Sequence, residues 1–306
     1  MELQQLRYVV AVAETGGFTR AAERCHVVQS ALSHQIAKLE RELGARLFER
    51  TSRRVRLTAA GEAVLPAARQ ALEAAERARA EVAAALGQIR GRLSIGTIST
   101  VTVVDLPSLL GVYRTEHPQV RVSLVTWGSE VLATEVREGA LDLAFLGVPP
   151  EFVARGVASR TLLRDEHVAV VAPDHPLAGV EAGTPVGLRR LAQEVFVDFP
   201  TGTAARDQSD GAFTRAGLRR EVACEVTSVD TLAALVRNGL GVATLPAAFV
   251  PRLAGVRVLA LRDAPVREER LVWSPDRLSP AAAAFLRTLV PDTIAPPPDA
   301  TPSEPG

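Results

Sequence analysis

Between residues 58 and 89 the chain nearly stops using β-branched side chains and is written in Ala, Glu, Arg and Leu. That is the composition of one long helix, because alanine and straight-chain residues lose the least freedom on becoming helical. A helix of about 30 residues reaches about 45 Å, so it separates an N-terminal module from a larger C-terminal body. Leu65, Ala68, Leu72, Ala75, Arg79, Val82, Leu86 and Ile89 recur in steps of three and four, a heptad seam with Arg79 as its one charged member. So narrow a stripe has nothing on its own chain to cover it, which predicts a second copy. The alternative is an amphipathic helix packed on its own domain. Pro66 falls where it would bend or open the first turn.

With 306 residues and 47% hydrophobic content, the chain can bury more than one core. Its net charge is zero, yet residues 1–58 carry ten basic against six acidic side chains and the remainder 25 against 29. A modest basic module is therefore joined to a slightly acidic body. Lys38 is the single lysine beside 34 arginines, a skew that fits genome base composition. Cys25 and Cys224 are far apart and lack metal-ligand or CxxC spacing, which argues for two thiols in a reducing compartment. No signal peptide opens the chain, and no apolar run nears the ~18 residues of a membrane span. The expectation is a cytoplasmic protein with no membrane partner.

The basic module reads as three short helices, at 3–14, 18–25 and within "VVQSALSHQIAKLERELGARLFER". "TGGF" makes a turn, and Thr19 can cap the second helix. In the third, Leu32, Ile36, Leu39 and Leu43 form one apolar stripe, and Gly44 ends the helix. Gln29, Ser30, Ser33 and His34 are small or polar and lie off that stripe. A helix entering the DNA major groove needs such a face near its N-terminus, since bulky groups would hold the backbone away from base edges. Glutamine can pair bidentately with adenine, serine can contact base or phosphate, and the helix start favours phosphate. "RLFERTSRRVRLT" comes next as a short basic hairpin.

The stretch "FTRAAERCHVVQSALSHQIAKLERELGARLFERTSRRVRLTAAG" resembles the winged helix-turn-helix of LysR-type transcriptional regulators. Phe18, Ala21, Ala22, Gln29, Ser33, Leu39, Gly44, Phe48, Thr58 and Gly61 are among the matching positions. The resemblance extends over nearly the whole chain. It implies an α/β protein with an N-terminal all-α winged helix-turn-helix (1–58), a long linker and dimerisation helix (59–90) and a two-lobed periplasmic-binding-protein-like effector domain (91–294). Lobe I would comprise 91–162 and 266–294, and lobe II 163–265. By the same resemblance Gln29, Ser30, Ser33 and His34 read or approach bases, while Lys38, Arg50, Arg53 and Arg54 hold phosphate. Val28 stands where the family often has Ser, and Ser30 where Pro is common, so Ser30 is a candidate cap. Cys25 replaces a usual Leu.

After the linker, "RLSIGTI", "VRVSLVTW", "LDLAFLG" and "EHVAVVAP" alternate with helical runs, the rhythm of βαβ units and a parallel sheet. The alternation resumes from "EVFVDF" to "VATLPA", enough for two lobes. Proline-rich "APPPDATPSEPG", 295–306, reads as a disordered tail. Ligands of such folds bind outside the C-terminal ends of parallel strands. Thr97, Ser99 and Thr100 come after the first strand and just before a helix, so hydroxyls and N–H groups would converge on a bound anion, with Ser99 and Thr100 the foremost effector contacts and ordinary helix capping the alternative. Trp127 and Gly128 end the second strand and Gly147 the third, while Phe199, Thr201, Gly202 and Thr203 face them from the other lobe in the family arrangement. Arg206 could neutralise a carboxylate.

An enzyme is not expected. GxSxG, a P-loop and GxGxxG after a strand are all missing, and His26, His34, His117, His167 and His175 are scattered. No cofactor, metal or catalytic residue is assigned. A transport-type solute-binding protein would need an export signal and no basic module. An effector-free architectural DNA-binding protein would show no ligand-dependent stability. The expected partners are double-stranded DNA, a second copy through the linker helix with tetramers beyond it, RNA polymerase, and a small-molecule effector for which an anion is the candidate chemistry.

Overall fold

The structure, a computed structural model, describes residues 1–50, 55–181 and 183–289. The chain divides into two compact units, Met1–Gly91 and Arg92–Gly306.

In the first unit α1 (Leu3–Thr15), α2 (Phe18–Arg24) and α3 (Gln29–Leu43) enclose a core of Leu6, Val9, Val12, Phe18, Ala21, Leu32, Ile36 and Leu39. Helix α2 starts after Gly17 without a side-chain cap, which puts Thr19 inside the first turn instead of at the cap. The turn into α3 is made by His26 at φ 53° and closed by the Val27 N–H on the Ala22 carbonyl, 3.0 Å. Val28 is extended and takes the cap position, so Ser30 lies within α3 and does not cap it. Leu43 departs from the expected stripe at 40% exposed. It is the last helical residue before Gly44 turns the chain at φ 67°, past the surface on which α3 packs.

Strands β1 (Phe48–Arg50) and β2 (Val55–Leu57) pair antiparallel, with Phe48 opposite Leu57 and Arg50 opposite Val55. Helix α4 (Ala59–Ala85) is capped by Thr58, whose hydroxyl accepts from the Gly61 N–H. It stops short of Ile89 because Gly87, at φ 77°, reverses the chain, with Gln88 N–H on the Ala83 carbonyl and Gly87 N–H on Ala84. Its early turns pack Ala68, Val64, Ala71 and Leu72 into the helical core. Val82 and Leu86 are left 63% and 75% exposed, so the seam is covered at one end and bare at the other.

The second unit runs as β3 (Gly91–Thr97), α5 (Leu106–Glu116), β4 (Val120–Thr126), α6 (Ser129–Glu138), β5 (Leu143–Val148), β6 (Ala158–Val171), β7 (Val186–Gly187) and α7 (Leu188–Leu191). After these come β8 (Val195–Asp198), α8 (Ala204–Arg215), β9 (Glu221–Glu225), α9 (Val229–Arg237), β10 (Ala243–Pro246), β11 (Arg257–Arg262), β12 (Val266–Trp273) and α10 (Pro280–Leu289). The main sheet runs β4-β3-β5-β12-β6-β11-β7, with β10 also on β6, and β8 pairs parallel with β9. β3 and β5 are parallel, as the βαβ rhythm implies, while β12 is antiparallel to both β5 and β6.

β6 is shared by two lobes. Its first part, from Ala158 to Glu166, pairs with β12, and its last residues pair with β10 and β11. One lobe is packed around Leu132, Val136, Leu146 and Val272, and the other around two clusters that include Phe196, Phe213, Val197 and Leu232. No helix among the described residues is long and apolar enough to cross a membrane. Arg53, Arg54 and the expected tail, 295–306, lie outside the described residues.

Candidate functional site

Helix α3 has two sides because Leu32, Ile36 and Leu39 are fully buried. That fixes its rotation, so Gln29, Ser30, His34 and Lys38 are exposed and Ser33 is half-buried. Residues 30, 34 and 38 make one row and 29 and 33 the row beside it, as helical spacing requires. The Gln29 Nε2 donates to the Ser33 hydroxyl at 2.9 Å, which aligns the amide along the helix. Val28 offers the helix start no side-chain acceptor, leaving the first-turn N–H groups suited to phosphate. Lys38 is held by Glu2 at 3.0 Å, an exposed pair that a phosphate can replace.

The hairpin is tied to this helix through Glu40, whose carboxylate accepts from the Leu47 and Phe48 N–H groups at 2.8 and 3.3 Å. The Thr58 hydroxyl also donates to the Arg46 carbonyl at 2.6 Å. Helix, hairpin and the start of α4 therefore form one block. Arg50, one of the expected phosphate contacts, ends β1.

In the second unit, the ends of β4 and β5 and the starts of α6 and α8 border a cavity of about 330 Å³. Gly128, Gly147 and Gly202, all expected from the sequence, line it. Gly128 must lack a side chain, since a Cβ there would stand 2.9 Å from the Gly202 carbonyl across the cleft. The lobes are also joined where the Gln208 Nε2 donates to the Gly147 carbonyl, 2.9 Å. The buried Ser129 hydroxyl bonds the N–H and carbonyl of Gly147, both at 3.1 Å.

The other expected residues are elsewhere. Thr97 is buried, with its hydroxyl on the Ile98 carbonyl, and Ser99 is exposed. Helix α5 does not begin beside them; it starts at Leu106 behind an Asp105 cap. Thr100 is buried and accepts from Arg267 at both its hydroxyl and its carbonyl, each at 3.1 Å. The next N–H groups, those of Thr102 and Val103, go to the buried Glu269 carboxylate at 3.0–3.1 Å. An internal carboxylate thus holds the loop at which an anion was expected.

Trp127 is 45% exposed, its N–H on the Thr97 carbonyl. Phe199 belongs to the second lobe's core, not to the cleft wall, because β8 is buried on both faces. Thr201 is exposed, and Thr203 caps α8 by position only, its hydroxyl being turned to the Pro200 carbonyl. Arg206 does neutralise carboxylates, but internal ones: Asp210 at 2.8 Å and Glu225 at 3.0 Å.

The sequence reading missed Ser129, Glu130, Phe152, Asp207, Gln208 and Val266 on the cavity wall. Ser129 and Glu130 directly follow Gly128, and Asp207 and Gln208 lie one turn into the helix after Thr203. Reading one helical turn beyond each strand end would have found them. Partial burial pushes the Asp207 carboxyl up against the pull of the Gly202 N–H, and Asp210 and Glu130 add to the rise. Among the described residues no group of three His, Cys, Asp or Glu is placed to hold a metal.

Residues 3–62 match the bacterial regulatory helix-turn-helix protein model of the lysR family, and residues 86–292 the LysR substrate binding domain. The chain is 36% identical over 303 residues to the HTH-type transcriptional regulator IlvR of Caulobacter vibrioides, covering 97% of this chain and all of that one. A full-length OxyR variant from Pseudomonas aeruginosa is similar in structure, with a TM-score of 0.72, 29% identity and 94% of each chain covered. So is full-length CbnR complexed with its target DNA, with a TM-score of 0.66, 28% identity and coverage of 94% and 98%.

Proposed function

The chain belongs to the LysR family of bacterial transcriptional regulators, and from that premise we propose that α3 reads DNA while the interlobe cavity takes the small molecule that switches it. The observation that carries the reading is the split face of α3, with Leu32, Ile36 and Leu39 buried while Gln29, Ser30, His34 and Lys38 face solvent. Gln29, Ser30, Ser33 and His34 approach base edges, and Lys38 with Arg50, Arg53 and Arg54 holds phosphate. Residues 1–58 act as the DNA module, 59–90 as linker, and 91–162 with 266–294 and 163–265 as the lobes. CbnR, a structural neighbour, is recorded with its target DNA.

Two copies pair through the bare end of the α4 seam, so that two modules reach successive major grooves of a roughly palindromic site. Further association through the effector domains gives tetramers. An effector that favours one lobe arrangement changes how the modules engage and bend DNA, and with it the recruitment of RNA polymerase. The protein works in the cytoplasm as a binder, not as a catalyst. A small-molecule signal is favoured over thiol oxidation because no cysteine lines the cavity and Cys224 packs into the second lobe's core.

The test is selection from random duplex DNA by the full chain. A recovered two-fold-related motif that Gln29→Ala relaxes at defined base positions supports the assignment. Recovery of no motif, or of the same motif with Gln29→Ala, refutes it.

A further inference from the structure

This inference rests on the reading that the cavity binds an effector, and it names that effector's chemistry. The charged residues on the wall are Glu130 and Glu151 from the first lobe and Asp207 and Arg215 from the second. Three cations of this unit that could serve an anionic ligand are already engaged. Arg206 pairs with Asp210 and Glu225, Arg220 with Asp198 and Asp210, and Arg267 with Glu269. The N–H groups of Thr102 and Val103 are likewise given to Glu269.

The carboxylates on the wall are in the opposite condition. Among the described residues Glu130, Glu151 and Asp207 have no ion-pair partner. Glu130 near the start of α6 and Asp207 in the first turn of α8 line the same cavity from opposite lobes, where Gly128 and Gly202 approach closely, and like charges so placed repel. Gln208 gives its Nε2 to Gly147 and keeps its buried Oε1 without a donor. The wall thus carries three carboxylates without an ion-pair partner, of which Asp207 takes the Gly202 N–H, and one amide oxygen without a donor, against a single guanidinium, that of Arg215.

We propose that the effector of this cavity is a small molecule bearing a protonated amine, held between Asp207 and Glu130. A cation there replaces repulsion between the lobes by attraction to both, so its binding energy draws them together. Arg215 leaves a place for a carboxylate on the same molecule, so amino acids and simple diamines share the required chemistry.

The experiment measures thermal shifts of the full chain with putrescine, L-lysine and glutarate at equal ionic strength. At least one amine is expected to raise the Tm while glutarate does not, and putrescine against L-lysine tells diamine from amino acid. Asp207→Asn with Glu130→Gln should weaken the amine about tenfold, as loss of charge-assisted contacts predicts. Ala204→Phe, which fills the cavity from its wall, should abolish the shift, its unliganded Tm and circular dichroism serving as the folding control. If only glutarate stabilises and Ala204→Phe removes that effect, the cleft reading stands and the amine proposal falls. An amine shift untouched by Ala204→Phe, or no shift from either amine, also overturns it.

Discussion

Arg267 and Glu269 stand two residues apart on one face of β12 and lie against each other, both residues 1% exposed. Arg267 anchors Thr100, and Glu269 anchors Thr102 and Val103, so the pair welds the loop after β3 to the strand that leads from the cavity wall at Val266. Removing one partner strands a buried charge, which costs about 3–5 kcal/mol. Glu269→Ala is therefore expected to lower the urea midpoint steeply, with part of the loss recovered by formate, which fits the vacated carboxylate place. Replacing both residues with Met should cost less than the sum of the two single losses. Strict additivity would mean that the pair is not coupled.

A second expectation concerns His167, buried on β6 with its Nδ1 on the Pro265 carbonyl at 3.1 Å. Burial holds its pKa down at about 4, with Arg267 also lowering it and the Pro265 bond and Asp165 opposing. Because the folded value lies below the ordinary 6.5, the unfolded chain binds the proton more readily. This contribution is fully present above pH ~6.5, fades as the pH falls, and is gone below about 4; at ~1.4 kcal/mol per unit it is on the order of 3 kcal/mol. Urea midpoints at pH 7 and 5 should differ more for the wild type than for His167→Asn, which keeps a donor near Pro265 but does not titrate. Equal differences would remove His167 from the acid sensitivity.

The helical module was legible in the sequence because its signal is local. Leu32, Ile36 and Leu39 recur at helical spacing and Gly44 stops the helix, so the exposed Gln29 face follows without tertiary information. Leu43 failed because periodicity does not say where the packing partner ends. In the second unit Gly128 and Gly147 were read from strand ends and Gly202 from the family arrangement of the lobes, and all three line the cavity. Thr100 and Phe199 were not, because what decides them is distant: Arg267 stands 167 positions from Thr100, and β8 is covered on both faces by elements the strand pattern does not reveal. β12 and the first part of β6 escaped too, since "VREERLVW" and "ASRTLLRD" carry charges that pair with each other or reach backbone only once the strands meet.

Gly61 gives a third expectation. A Cβ there would stand 2.2 Å from the Leu47 carbonyl and 2.9 Å from the Leu57 side chain, in the first turn of α4 where it crosses the hairpin. Backbone cannot yield as a flexible side chain does, so Gly61→Ala must push α4 from the hairpin, a strain of about 1–3 kcal/mol or more. DNA binding should fall together with the stability of the first unit. Thermal unfolding of the separate transitions should leave the second unit's unchanged; an unaltered first transition would show that the contact relaxes freely.

The last expectation separates reading from holding. Gln29, aligned by Ser33, is assigned to base edges, whereas Lys38, now on Glu2, is assigned to phosphate. A base contact carries sequence information and a phosphate contact releases a counterion. Gln29→Ala should then cost about 1–3 kcal/mol on the selected site, flatten the preference at its base pair and leave the salt dependence alone. Lys38→Ala should weaken all sequences alike and reduce the slope of log affinity against log salt by about 1 per subunit. Glu2→Gln, which frees Lys38 from its exposed partner, should tighten binding at low salt without changing preference. Anisotropy titrations over a salt series decide the matter: a preference change with Lys38→Ala, or a slope change with Gln29→Ala, would reverse the two roles.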